Sequence, residues 1–367
     1  MGIVCDSEDR RPQREPLSQK HMVRSQWSGS ARGLSGRFRD RTGAPENVVR
    51  AEYVVMTARS PQVWLPAQFG RLADLPPGLD YARWDGLSAF PTDPAEVEFY
   101  VPPLTKDIGV IARPLARMTR LRAVQALSAG TDELRAALDR LPREVILCNA
   151  KGVPTAGTAE LALTLILASL RGIPESLRAQ DREDWDPRTF STLYERSVLI
   201  VGHGAVGSAL EELLAPFGCA VTRVGRADRD TPQGPVRSVS LLPRLVADAD
   251  VIVLCTPLTA ATHGLFDAAL LSRVKDGALL VNVSRGAVVD TDALLKEVHG
   301  GRLLAALDVT DPEPLPPGHP LWTAPGVLIT PHVGAFTPGL WPRLEALVRR
   351  QLARFAAGGE LENVVRR

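Results

Sequence analysis

Short apolar runs alternate with stretches of helical periodicity along most of the chain. Runs at 63–65, 97–101, 123–127 and 145–147 predict buried strands, and 134–141 predicts a helix. This alternation points to a small α/β domain with a mostly parallel sheet. Residues 158–171, rich in Ala and Leu, predict a long amphipathic helix with Pro174 soon after its end. The stretch 172–194 reads as a connection containing Trp185 and Pro187. A second series then begins, with strands expected at 198–201, 221–224, 251–255, 278–283, 305–309 and 327–330. Helical patterns at 208–214, 268–274 and 292–298 separate several of them, which predicts a doubly wound sheet. Residues 339–357 predict a last helix with Leu344, Leu347, Val348 and Leu352 on one face. No repeat of the solenoid kind is present.

Residues 1–55 follow a different pattern. They are rich in Arg, Ser, Gln and Gly and lack periodicity, so they are expected to be a disordered extension or upstream sequence, with the folded chain starting near Met56. Asp6, Glu8 and Asp9 argue against a transit peptide there.

Composition narrows the class. With 43 Lys+Arg against 42 Asp+Glu, the net charge of +1 gives no support to nucleic-acid or membrane-surface partners. Cys5, Cys148, Cys219 and Cys255 are far apart with no C-x-x-C pair, so neither a metal site nor a disulfide is expected, and a reducing cytoplasm fits. The longest apolar stretch, 161–170, is interrupted by Thr164 and Ser169 and stops at Arg171, short of a membrane span.

The most specific local signal is G-H-G-A-V-G at 202–207, placed between the strand-like Val198-Leu199-Ile200-Val201 and a helical run. Strand, glycine turn and helix in this order bring backbone N–H groups against a pyrophosphate. Gly202 permits the tight turn, Gly204 the approach of the phosphates, and Gly207 the packing of helix on strand; Ala205 and Val206, within the turn, are expected to bind the cofactor with them. An NAD-selective site carries an acid at the end of the next strand. Here Val221-Thr222-Arg223-Val224 is followed by Gly225-Arg226, and a guanidinium suits a 2′-phosphate, so NADP is expected over NAD.

Three later segments carry groups with a joint chemical use, all at carboxyl ends of expected strands. They are Asn282-Val283-Ser284-Arg285-Gly286, the run from Leu307-Asp308 to Glu313-Pro314, and Thr330-Pro331-His332-Val333-Gly334. Arg285 can clamp a carboxylate, His332 can exchange a proton, and Glu313 can orient the imidazole. Taken singly, each has an ordinary alternative as an ion pair, a solvated acid or a turn residue. His203, inside the glycine turn, is expected to face solvent.

With Leu127-Ser128-Ala129-Gly130 and Asp132, Ala159-Glu160, Thr256-Pro257-Leu258-Thr259 and N-V-S-R-G-A at 282–287 added, order and spacing resemble the D-isomer-specific 2-hydroxyacid dehydrogenases. The resemblance is close over 124–335. It implies a Rossmann cofactor domain inserted into a smaller flavodoxin-like α/β substrate domain. The boundaries expected are 56–153 for the first part of the substrate domain, 154–336 for dinucleotide binding, and 337–367 returning to the substrate domain. It also implies that Arg285 binds the substrate carboxylate and that His332 is the proton donor in reduction. Glu313 would keep the proton on His332, and Asp308 would contact the nicotinamide carboxamide. Thr256, Pro257 and Val283 would line the cofactor, and Ser128, Ala129 and Gly130 would offer N–H groups to the substrate carboxylate.

Some positions depart from the family pattern. Thr310 stands where Phe is frequent, and Phe336 follows the His motif where a small residue is usual; Phe336 and Trp341 are expected as pocket walls. One helix follows His332, an arrangement that disfavours the amino-acid-regulated phosphoglycerate dehydrogenase. The activity expected is reduction of a small 2-oxo acid of the glyoxylate or hydroxypyruvate kind. The alternatives are a phosphoglycerate dehydrogenase-like enzyme, or a dinucleotide-binding corepressor or redox sensor of the same fold. The apolar helix at 158–171, together with the family's habit, leads to the expectation of a homodimer.

Overall fold

The structure is a computed structural model and describes residues 59–365 apart from Arg71, Glu133 and Arg140. The expected disordered extension and the start near Met56 lie outside the described residues. Among the described residues, five parallel strands build the first sheet: β1 (Gln62–Pro66), β2 (Asp80–Trp84), β3 (Val97–Tyr100), β4 (Ala123–Gln125) and β5 (Ile146–Cys148). Their spatial order is β2-β1-β3-β4-β5, the flavodoxin-like order. Helices α1 (Ile108–Leu115) and α2 (Arg135–Leu138) lie between strands. Strand β2 escaped the apolar-run reading because it is an edge strand paired only with β1, and its sequence Asp-Tyr-Ala-Arg-Trp keeps one buried residue. Helix α2 is a single turn rather than the expected 134–141; Pro142 disfavours helical backbone at Leu141.

The chain then enters α3 (Thr155–Leu170) and α4 (Ile173–Gln180). The expected connection at 172–194 therefore contains a helix. Gly172, at φ 61°, ends α3, and Pro174 falls in the first turn of α4, where its missing N–H costs nothing. A signal read as a stop serves as a start.

The second sheet holds β6 (Ser197–Val201), β7 (Ala220–Gly225), β8 (Arg229–Thr231), β9 (Gly234–Ser238), β10 (Val251–Leu254), β11 (Leu279–Asn282), β12 (Leu304–Leu307) and β13 (Val327–Ile329). Its order is β13-β12-β11-β10-β6-β7-β9-β8, parallel throughout except at the β8–β9 edge. Disregarding β8, this is the doubly wound order with its switch point between β6 and β10. Strands β8 and β9 were not expected; their short, polar sequences carry no apolar alternation. Helices α5 (Ala205–Leu214), α6 (Leu242–Leu245), α7 (Ala268–Leu271) and α8 (Thr291–His299) flank the sheet.

Burial on both faces explains why β10 and β11 read as continuous apolar runs: every residue of both is buried. Leu199, Ile252 and Leu280 face one core with Leu294 and Val298 of α8, while Val198, Val253 and Val281 face another with Leu165 and Ile166 of α3 and Leu210 of α5. Among the described residues, no single helix is long and apolar enough to cross a membrane.

The last helix, α9 (Leu340–Ala356), returns to the first sheet. Leu344, Leu347, Val348 and Leu352 share one core with Val63, Leu65 and Phe99, as the one-face pattern predicted. One polar residue on that face, Gln351, is fully buried: its Nε2 donates to Gln125 Oε1 at 2.7 Å and to the Glu362 carbonyl at 2.9 Å, while its Oε1 accepts from the Glu362 N–H at 2.8 Å. Gln351→Leu would strand Gln125 Oε1 in a dry interior and break both links to Glu362, and is expected to lower the unfolding free energy by about 2–4 kcal/mol in denaturant titration. A change within about 0.5 kcal/mol would show that α9 docks by its leucines alone.

Candidate active site

The carboxyl ends of both sheets meet at one cavity of about 700 Å³. Its wall draws residues from the segments after β3, β4 and β5 on one side, and from those after β6, β10, β11, β12 and β13 on the other. Ligands bind beyond strand carboxyl ends in open α/β sheets because loops and helix N-termini converge there.

The glycine turn supplies the first part. Gly202 has φ 104°, and a side chain there would strike the backbone of Cys255 and Thr256, so the turn after β6 lies directly on the one after β10. A side chain at Gly207 would strike the Gly202 carbonyl. Around Gly204 the space is open, with nothing within 4 Å of where a Cβ would stand. Gly204, Ala205 and Val206 line the cavity, and no side chain caps the N-terminus of α5. Thr256 Oγ1, buried in the same wall, has no hydrogen-bond partner. An uncapped helix N-terminus, an open glycine and an orphaned hydroxyl fit the pyrophosphate region of a dinucleotide. Pro257, Val283 and Asp308 lie on the cavity with them.

His203 does not face solvent as expected. It is buried, and its Nε2 lies 2.7 Å from Glu211 Oε2, while Arg223 also binds Glu211. The helical spacing from the turn to Glu211 brings the carboxylate back beneath the imidazole. Burial alone would raise the Glu211 carboxyl; hydrogen bonds from Arg223 and His203 outweigh it and hold the group below its ordinary value. Arg226 is exposed just past β7, outside the cavity wall. Arg229, which the sequence reading passed over, lies closer to the turn. Its Nη2 donates to the His203 carbonyl at 2.5 Å, and its guanidinium occupies the space over Gly225 at the end of β7. The β8–β9 hairpin returns it there, a placement with no sequence signal.

Arg285 stands on the cavity just after β11. Its Nε donates to Asp132 Oδ2 at 3.0 Å and its Nη2 to Asp132 Oδ1 at 3.3 Å, while Nη1 donates to the Ser284 carbonyl at 2.8 Å. Its guanidinium covers Gly130 so closely that a side chain there would collide with it. Ser128, Ala129 and Gly130 share this wall; Asn149 Nδ2 donates to the Ala129 carbonyl at 2.8 Å and Ser128 Oγ to the Gly130 carbonyl at 2.6 Å. Asp132, whose partner no local pattern reveals, is thus the fork that orients Arg285.

His332 is held from two sides. Its backbone has φ 55°, a region costly for a residue with a Cβ, and its N–H donates to the Asp308 carbonyl at 2.8 Å. The Asp308 carboxylate fixes the same turn: it accepts from Thr330 Oγ1 at 2.6 Å and from the N–H groups of Val333 at 2.9 Å and Gly334 at 3.0 Å. The imidazole Nδ1 lies 2.6 Å from Glu313 Oε1, which leaves Nε2 for chemistry. Lys106 Nζ reaches the same Glu313 oxygen at 2.5 Å. Burial would push the Glu313 carboxyl up; hydrogen bonds from His332 and Lys106, and the attraction of their charges, hold it instead at about 2.

Arg285 and His332 therefore share one cavity with the glycine turn, while Glu313 stands behind His332. Phe336 is on the cavity and 58% exposed. Trp341 is not a wall: it packs into the first-sheet core, its ring 6.1 Å from Phe69. Thr310 turns inward, with Oγ1 donating to the Pro312 carbonyl at 2.8 Å, and leaves no room for a side chain at Gly286.

Fold and site together define a dinucleotide-dependent oxidoreductase, and comparison with known proteins agrees. Residues 163–334 match the family model for the D-isomer specific 2-hydroxyacid dehydrogenase, NAD binding domain. The chain is 36% identical over 228 residues to the glyoxylate reductase/hydroxypyruvate reductase of Mus musculus, covering 59% of this chain and 68% of that one. A D-isomer specific 2-hydroxyacid dehydrogenase family protein from Aeromonas salmonicida superposes with a TM-score of 0.73 at 28% identity, over 84% of this chain and 99% of the other. A D-isomer specific 2-hydroxyacid dehydrogenase from Xanthobacter autotrophicus, solved with NADPH and MES, has a TM-score of 0.69 at 29% identity, over 84% and 98%. The chain belongs to the D-isomer-specific 2-hydroxyacid dehydrogenase family. It is an NAD(P)-dependent oxidoreductase acting on a CH–OH group, with a Rossmann cofactor fold.

The Glu313 carboxyl sits lower in the fold than in the open chain, so its contribution to stability has a definite sign. That contribution is complete above its unfolded value of about 4.3 and is lost as pH falls through about 2. The stability difference between the wild type and Glu313→Gln is expected to shrink across that window in urea titrations. A difference independent of pH between 5 and 2 would contradict the arrangement.

Proposed function

We propose that the protein reduces a small 2-oxo acid of the glyoxylate or hydroxypyruvate kind to the D-2-hydroxy acid, with NADPH preferred. The observation that carries this reading is the meeting of Arg285 and His332, with Glu313 behind the imidazole, on the cavity that the glycine turn also enters. In this reading residues 56–153 and 337–367 form the substrate domain and 154–336 the cofactor domain. When bound, a reduced nicotinamide supplies the hydride that reaches C2. Arg285 holds the substrate carboxylate in its planar fork, oriented by Asp132, and polarises the 2-oxo group. The N–H groups of Ser128, Ala129 and Gly130 complete that clamp. Nε2 of His332 gives the proton to the keto oxygen, and Glu313 holds Nδ1–H and the imidazolium charge. Gly202, Gly204, Ala205, Val206 and Gly207 cradle the pyrophosphate, with Thr256, Pro257, Val283 and Asp308 around the nicotinamide half.

The substrate class rests on the 36% identity with a relative named glyoxylate reductase/hydroxypyruvate reductase. A homodimer is supported by apolar side chains left exposed at and beyond α4: Leu177, Trp185 and Tyr194. A reducing cytoplasm suits Cys148, Cys219 and Cys255, which are all free thiols.

Mixing the protein with NADPH and a panel of 2-oxo acids should oxidise the cofactor, fastest with glyoxylate or hydroxypyruvate. His332→Ala should lower the rate by about 100-fold or more. Tight NADPH binding with no turnover on any acid would sink the enzyme reading. For the cofactor, Arg226 and Arg229 are the cations just past β7, whose last residue is Gly225, while the Asp228 carboxylate between them accepts from the Ser238 N–H at 3.1 Å. Replacing both by Gln should weaken binding of 2′,5′-ADP by about 10-fold or more while leaving 5′-AMP unchanged in calorimetry. Equal weakening of the two nucleotides would remove the NADP preference from these residues.

A further inference from the structure

Lys106 reaches the proton-transfer pair from the other sheet. It stands on the loop between β3 and α1, far in sequence from Glu313, and its Nζ lies 2.5 Å from the Glu313 oxygen that His332 Nδ1 meets at 2.6 Å. The loop presents it firmly. Gln68 binds Leu104 through both backbone groups, Asp107 N–H donates to Thr105 Oγ1, and the Asp107 carboxylate caps α1. One carboxylate oxygen thus carries two cations when His332 is protonated.

The reaction changes that count. In reduction the C2–O π bond breaks, a C–H bond forms with the hydride, and an O–H bond forms with the proton from His332 Nε2. The cofactor is oxidised by two electrons, the acid is reduced by two, and the imidazolium becomes neutral. Glu313 then keeps its negative charge in a half-buried setting while its first cation has gone. Lys106 remains. Resting on the roles proposed above for His332 and Glu313, we propose that Lys106 is a positioning residue that holds Glu313 paired through the proton transfer and makes His332 the readier acid. Its charge opposes the imidazolium and pairs with the carboxylate left behind, so it favours the state after transfer.

The other charged groups on the cavity are engaged elsewhere or make no contact with the pair. Asp132 is taken by Arg285, and Asp308 by Thr330 and the 333–334 amides. Lys151 lines the wall and touches neither Glu313 nor His332. Lys106 is itself half-exposed, which screens the effect and keeps it modest.

The test compares Lys106→Met and Lys106→Arg with the wild type in full pH profiles of both directions, on the cofactor and acid that give the highest turnover. Met should lower kcat for reduction several-fold with little change in KM. It should also move the alkaline midpoint of reduction, and the onset of oxidation, upward together by about half to one pH unit. Arg should restore the wild-type midpoint. A raised KM with kcat and midpoint unchanged would make Lys106 a substrate-binding cation and overturn the proposal, as would a Met profile that coincides with the wild type. If instead His332→Ala keeps its turnover, the reading of the site itself fails, an outcome separate from either.

Discussion

A single buried carboxylate, Asp308 at the end of β12, sets the geometry on which the site depends. Its two oxygens and its carbonyl bind four successive donors of the 330–334 turn: Thr330 Oγ1 and the N–H groups of His332, Val333 and Gly334. Bonds to a charged acceptor in a dry setting are stronger than neutral ones. They hold His332 at a positive φ that its side chain would otherwise resist. The imidazole then meets Glu313 on one nitrogen and the cavity on the other. Without that clamp the histidine would sit on an ordinary surface turn.

Two ion pairs join the sheets across the cavity, Arg285 with Asp132 and Glu313 with Lys106. Neither is deeply buried, and exposed or half-exposed pairs contribute about 0–1 kcal/mol each. Their importance is geometric. Each aligns a group of the second sheet with a loop of the first, so Arg285 presents its fork and Glu313 its carboxylate only when both lobes are in place. Arg302, which also gathers several partners, lies at the opposite end of β12 and serves packing alone: it binds the carbonyls of Leu271 and Val274 and the carboxylate of Glu297.

The glycine turn shows a similar economy. Gly202 and Gly207 are required by backbone contacts within the protein, whereas Gly204 has no neighbour of its own. Three glycines that look alike in sequence thus have two different reasons, two structural and one directed outward. Beneath them the half-buried His203–Glu211–Arg223 cluster ties the turn to α5 and β7, and Arg229 closes it from the hairpin.

Much of this was legible in the chain because its signals are local. Strands β6, β10 and β11 are buried on both faces and so appear as unbroken apolar runs, the glycine turn follows its strand directly, and α9 carries its leucines at helical spacing. Arg285, Glu313 and His332 could be named because each lies just past such a run. The edge strands β2 and β8, and β9 beside β8, with little to bury, left no trace, and Gly172-Ile173-Pro174 could be read as the end of one helix or the start of another. What needed the fold was partnership at long range: Asp132 against Arg285, Lys106 against Glu313, Arg229 over Gly225, and Trp341 beside Phe69 rather than on the cavity. Periodicity reports which side of an element is apolar. It carries no information on which distant charge that element will face, because the choice is made only when two sheets dock and their carboxyl ends come together.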